Sequence, residues 1–409
     1  MPTQSAVALM VIACLVTAAL AGCGAEITPV EPVTITFAFP ESQDQSLYQP
    51  IAAAFQESHP NITINLRPDP NNQWVRDESR EVDAFVSWSA SSLVADGTPL
   101  VLSLDPLLAR TPELPLDDFY PRSLDMFRWE GALWALPAEV DLQVLYYNKD
   151  LFDESKVAYP QAGWTWDDLL LTAQRLTTVE GDPWSYTGHY GLASNPTWWD
   201  YVPFVYQHGG ELFQFDDPLM EEAIQWYADL ALVHGVMPRP EDVLYGNMYD
   251  MFQEEKAAMW IGSLGSRNGM AGSMGMGIGA PWNFDWGLVP LPGDQTEATL
   301  YGGRGYYITS RTAHVEEAWA WIQYLSSQPT GRALPARRSV AEASGFRELA
   351  GDQVVTAALY AVEHLVPPIT LADVSPEMAE TYLEIVESVV NGELTAAEAM
   401  ATLRGEDGD

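Results

Sequence analysis

Cysteine is nearly absent from this chain of 409 residues: it has two, Cys14 and Cys23, both close to the N-terminus. The rest of the chain can therefore form no internal disulfide and no thiolate metal site. Histidine is scarce too, and His59, His189, His208, His234, His314 and His364 are scattered without the spacing a zinc hydrolase needs. Basic residues number 19 against 57 acidic ones, for a formal net charge of -38. Such a surface repels nucleic acid and anionic lipid head groups, and because the acids are dispersed it reads as a solvated shell. Catalytic signatures are also missing. Gly262-Ser263-Leu264-Gly265 and Gly265-Ser266-Arg267-Asn268-Gly269 both depart from the Gly-x-Ser-x-Gly elbow of serine hydrolases, and no Gly-Lys-Ser/Thr follows any glycine-rich turn. No motif marks the paired carboxylates of a glycoside hydrolase.

What is present begins with an uncharged apolar run from Ala6 to Leu20 that ends in Leu20-Ala21-Gly22-Cys23. A run of this length with small residues at its end reads as a cleaved export signal, residues 1–22, although Met1 to Leu20 lacks the usual basic opening. The sequence Leu-Ala-Gly-Cys resembles the bacterial lipoprotein box and implies lipidation at Cys23, with residues 23–32 as a Pro-containing tether. An uncleaved N-terminal anchor is the alternative. Both readings put the remaining chain outside the cytoplasm.

The length calls for two domains, and 47% hydrophobic residues support well-buried cores. Val33, Ile35, Phe37 and Phe39 alternate as a strand. Leu47, Ile51, Ala54 and Phe55 recur at helical spacing until His59-Pro60-Asn61, and a strand follows from Ile62 to Leu66. Val82 to Trp88 repeats the strand pattern. Alternating strands and helices imply mostly parallel sheets covered on both faces. Thr165, Asp217, Ser375 and Thr395 are expected to open helices, Thr165 and Thr395 each with an acid three residues on. The Gly-, Ser- and Met-rich stretch from Gly262 to Gly279 reads as a mobile loop.

Several stretches in a fixed order resemble the family 1 extracellular solute-binding proteins of ABC importers. They include Phe55-Gln56-Glu57-Ser58-His59-Pro60-Asn61-Ile62, Gly131-Ala132-Leu133-Trp134-Ala135-Leu136-Pro137 and Leu145-Tyr146-Tyr147-Asn148-Lys149-Asp150-Leu151-Phe152. Gly163-Trp164-Thr165-Trp166, Trp286-Gly287-Leu288-Val289-Pro290 and Leu334-Pro335-Ala336-Arg337 continue the match. The resemblance implies a two-lobed α/β fold of the periplasmic-binding-protein type II class, with mixed, mostly parallel sheets and a ligand cleft between the lobes. Lobe 1 is expected at 33–139 plus 290–335 and lobe 2 at 140–289 plus 336–409. Crossings are expected near Ala138 to Leu142, Trp286 to Leu291 and Pro335 to Val340. The resemblance further implies a monomeric protein that is not an enzyme.

 It implies a receptor that binds a carbohydrate or related polar solute and passes it to the membrane subunits of an importer, with no cofactor or metal and with the lipid anchor as its one membrane contact. A lipoprotein that senses the same ligand for a signalling receptor, or a secreted glycoside hydrolase, would draw on similar residues.

The 15 Trp and 18 Tyr matter because a sugar offers an apolar face to a flat ring and a rim of hydroxyls to acids. Trp88 lies at the carboxyl end of an expected strand, where open α/β sheets bind ligands. Trp198, Trp199 and Tyr201 fall where the resemblance implies an aromatic on the second lobe, and Trp282 follows the glycine-rich stretch. Among polar candidates, Glu41 and Ser42 follow the first strand, and Glu139 and Asp141 lie at the first crossing. Arg304, inside Tyr301-Gly302-Gly303-Arg304-Gly305, has three available roles: to pair with a carboxylate, stack on a ring or hold a ligand anion.

Overall fold

The computed structural model describes residues 31–40, 44–69, 73, 77, 81–88, 99–181, 187–194, 200–243, 251, 253–269, 282–366 and 376–405. The expected signal, Cys23 and the tether up to Val30 lie outside them, as do Glu41, Ser42, Trp198 and Trp199.

Strand β1 (Val33–Phe39) buries Ile35, Phe37 and Phe39, as period-two alternation requires. The helix Asp44–Ser58 returns over the sheet with Tyr48, Ala52 and Phe55 buried at helical spacing. It ends where the ring of His59 stacks on Phe55 at 4.1 Å. Strand β2 (Ile62–Pro68) pairs parallel with β1, and β3 (Ala84–Ser87) joins β1 from the other side, so Trp88 stands just past a strand end. A short hairpin of β4 (Arg128–Trp129) and β5 (Ala132–Leu133) precedes the edge strand β6 (Leu136–Pro137), where a proline costs no ladder bond.

Strand β7 (Glu139–Asn148) is buried along its whole length and runs through the second, six-stranded sheet. Its second half pairs antiparallel with β9 (Ala257–Ser263) and β10 (Trp286–Val289), and β8 (Tyr190–Ala193) lies parallel to β9. Its first half pairs antiparallel with two short strands, β11 (Tyr301–Gly302) and β13 (Leu334–Pro335), and between these in sequence β12 (Gly305–Ile308) returns to the first sheet. The first sheet thus runs β2-β1-β3-β12-β6 and the second β10-β7-β9-β8. Trp321, in the helix Val315–Ser326, closes the first core edge-on against Phe37 and Phe55.

Local chemistry sets the ends of these elements. Asn148 leaves β7 and caps the helix Lys149–Ser155, its Oδ1 accepting from the backbone N–H of Asp150 at 2.9 Å and of Leu151 at 3.2 Å. Thr165 and Thr395 form the expected capping boxes, with Asp168 and Glu398, and Asp217 caps the helix Pro218–Leu232.

Two expectations change. The middle crossing is expected near Trp286 to Leu291, but β10 belongs to the second sheet, and Val289, Leu291, Ala298 and Leu300 pack in the core of that lobe. The exchange occurs between β11 and β12, because the pairing with β7 at Leu142 and Asp141 is made before the chain turns back to β3. The stretch from Gly262 begins in order, as the end of β9 and a 3-10 turn, Leu264–Gly269; residues 270–281 are outside the described set. Its glycines serve close approach: a Cβ on Gly265 would stand 2.8 Å from Oδ2 of Asp141, and one on Gly262 would stand 3.2 Å from the Tyr146 ring.

Candidate functional site at the strand crossing

The carboxyl ends of β1 and β3, the start of β12 and the end of β6 meet at one edge of the first sheet, beside the crossing strands. Trp88 emerges there half-buried, its carbonyl accepting from the Tyr307 hydroxyl at 3.2 Å. Gly305 pairs with Ser87, which sets Arg304 next to Trp88. The guanidinium carbon of Arg304 lies 5.5 Å from the centroid of the Trp88 ring, and that of Arg332 lies 5.0 Å away, both within cation–π range.

Both arginines turn to one carboxylate. Oε1 of Glu139 accepts from Nε of Arg304 at 2.7 Å and from Nη1 of Arg332 at 2.8 Å, while Thr330 donates to Oε2 at 3.4 Å. Nη1 of Arg304 also bonds Asp44, the first residue of its helix. All four side chains are buried, with 1–4% of their surface exposed. Burial alone would raise the Glu139 carboxyl, but the guanidiniums of Arg304 and Arg332 and the bonds it accepts outweigh that and hold it below the usual carboxylate range. Arg304 is raised because Glu139, Tyr48 and Asp44 outweigh the opposing effect of burial.

The second lobe ties into the same place. Arg267, on the turn after β9, donates to the carbonyls of Leu264, Gly331 and Arg332. Asp141 accepts from the backbone N–H of Gly265 at 2.6 Å. Gly303 lets the strands touch, since a Cβ there would lie 2.3 Å from the Glu139 carbonyl oxygen.

The candidates from sequence are thus distributed unevenly. Trp88, Glu139 and Arg304 come together, and of its three available roles Arg304 takes carboxylate pairing and ring stacking. Asp141 is buried at the crossing and bonds the backbone of the second lobe. Tyr201 is fully buried, packed against Tyr227 and Tyr382 in the second core. Trp282 packs edge-on against Tyr146, Trp260 and Trp286 at 5.2–5.3 Å, within an aromatic cluster over the second sheet. Sequence reasoning missed Asp44 and Arg332. A signal for Arg332 existed: it is one of only 19 basic residues, and it stands two positions before the Leu334-Pro335 crossing.

A cavity of about 470 Å³ opens elsewhere, on the second lobe, lined by Thr165, Trp166, Asp167, His208, Glu222, Trp226 and Asp294. His208 is clamped there between Asp294 at 2.6 Å and Glu222 at 3.0 Å. Among the described residues no group of three or more His, Cys, Asp or Glu could hold a metal ion, and no helix is long and apolar enough to cross a membrane.

Two lobes, each built on its own sheet and joined by strands that exchange between them, define the class of two-lobed solute-binding proteins. The chain belongs to the bacterial extracellular solute-binding protein family, whose sequence model matches residues 40–331. It is 22% identical over 345 residues to the mannitol-binding protein of Pseudomonas aeruginosa, an alignment covering 75% of this chain and 72% of that one. Its fold is similar to that of an ABC substrate-binding protein from Listeria monocytogenes in complex with cycloalternan, with a TM-score of 0.71, 18% identity and coverage of 92% and 98% of the two chains. UgpB from Mycobacterium tuberculosis, in complex with glycerophosphocholine, gives a TM-score of 0.70 at 17% identity, covering 92% and 97%.

Proposed function

We propose that this protein is an extracytoplasmic receptor, anchored by lipid at Cys23, that binds a neutral sugar or polyol between its lobes and delivers it to an ABC importer by lobe closure, without chemical change to the ligand. The observation that carries this reading is Trp88, a half-buried indole at the carboxyl edge of the first sheet, beside the strands about which the lobes would turn. An indole there can cover the C–H face of a ring-shaped ligand. The guanidiniums behind it are matched by Glu139 and Asp44, which favours a neutral ligand over an anionic one. The mannitol-binding relative and the cycloalternan complex agree with that class.

Thermal unfolding in the presence of mannitol, tagatose, maltose and glycerophosphocholine tests it. A ligand at 100 times its dissociation constant should stabilise the protein by about 2.7 kcal/mol. We expect a shift with at least one neutral compound. A shift with glycerophosphocholine alone, or turnover of a bound sugar, contradicts the reading. Loss of membrane association in Cys23→Ala tests the anchor, and failure of the wild-type chain to incorporate labelled palmitate would refute it.

A further inference from the structure

We propose that Glu139 is the positioning residue for Trp88: by holding Arg304 and Arg332 against the indole, it ties the ring to the strand that joins the lobes. The inference rests on the reading of Trp88 as a ligand-stacking ring, and deepens it.

The two guanidiniums reach Trp88 from different crossing segments. Arg304 precedes β12, a neighbour of β3, so it belongs to the same sheet edge as Trp88. Arg332 precedes β13, and its backbone is gripped from the second lobe by Arg267. The Arg332–Trp88 contact therefore links the ring to a segment that the turn after β9 holds. One oxygen, Oε1 of Glu139, accepts from both arginines, and Glu139 opens β7. Tyr307 bonds the Trp88 carbonyl, and the two cations meet its ring. Arginine suits this task, since its planar guanidinium can stack on the ring while its N–H groups bond the carboxylate. Displacement of the turn that carries Arg267 would be passed through Arg332 to the indole.

The test uses the full chain without ligand. The near-UV circular dichroism of wild type minus that of Trp88→Phe isolates the signal of this indole; the same subtraction is made in a Glu139→Gln background. We expect the Trp88 signal to fall about two-fold or more when the shared charge is removed. A purely structural Glu139 would lower the unfolding midpoint and leave that signal unchanged. Arg332→Met, which keeps the Glu139–Arg304 pair, should also reduce the signal and serves as the deciding variant if Glu139→Gln does not fold. An unaltered Trp88 signal in the folded variant overturns the proposal. Titration of Trp88→Ala with mannitol, tagatose and maltose is scored separately: wild-type affinity for a sugar that binds would remove the stacking reading, while the difference spectrum still decides whether Glu139 positions the ring.

Discussion

Two of the places where this chain gathers opposite charges differ in depth, and depth decides what they do. At the crossing, Asp44, Arg304, Glu139 and Arg332 are almost wholly removed from water. On the second lobe, His208 meets Asp294 and Glu222 at the rim of a cavity, where Glu222 keeps 64% of its side chain exposed. Buried charges are costly to separate, because removing one leaves its partner uncompensated in a poor solvent, whereas exposed pairs are screened and contribute little. The crossing can therefore hold a ring in place, and the surface cluster responds mainly to pH.

The sharpest way to break that contrast is Glu139→Ala, which removes the carboxylate that two buried guanidiniums share. We expect a loss of about 3–5 kcal/mol in urea unfolding, against at most about 1 kcal/mol for Arg110→Ala, whose pair with Glu316 is exposed. Equal losses would erase the distinction. Tyr201→Ala probes the second core without touching the crossing and should cost about 3–5 kcal/mol, with no specific loss of ligand affinity per folded molecule. A folded Tyr201→Ala that has lost binding would place this ring in the site.

Acid should act on the crossing next. Because the Glu139 carboxyl is depressed in the folded state, its contribution is present above the unfolded value of about 4.3 and is lost as pH falls through the folded value. Denaturant midpoints measured from pH 6 down to about 3 should drop less steeply in Glu139→Gln than in wild type. The smallest effect is at His208, where burial lowers the ring but Glu222 and Asp294 raise it further, for a net upward shift. Its contribution is complete below about pH 6.5 and fades as pH rises through the folded value, so His208→Asn should flatten the stability profile around and above neutrality. An unchanged profile would show that the clamp is without weight.

Much of the fold was legible because its signals are local. The alternation of β1, the Asn148 exit from β7 and the capping boxes at Thr165 and Thr395 each depend on residues a few positions apart. The crossing network was not legible in that way: Arg304 meets Glu139 across 165 residues and Asp44 across 260. Nothing near Asp44 announces its partner. The glycines of 262–265 misled for the opposite reason, since a residue chosen for tight contact with Tyr146 and Asp141 has the same composition as one chosen for freedom. The aromatics divided similarly: a strand end points to Trp88, while Tyr201 is enclosed by rings distant in sequence and Trp282 packs on Tyr146 and Trp260 as well as on its neighbour Trp286.

The most direct test of ligand stacking at the crossing is a paired measurement on Trp88→Ala: unfolding of the free protein, and calorimetric titration with whichever of mannitol, tagatose or maltose binds the wild type. We expect nearly unchanged stability and affinity weaker by about ten-fold or more, equivalent to about 1.4 kcal/mol. A large loss of stability with affinity retained would make Trp88 a core residue and contradict the reading.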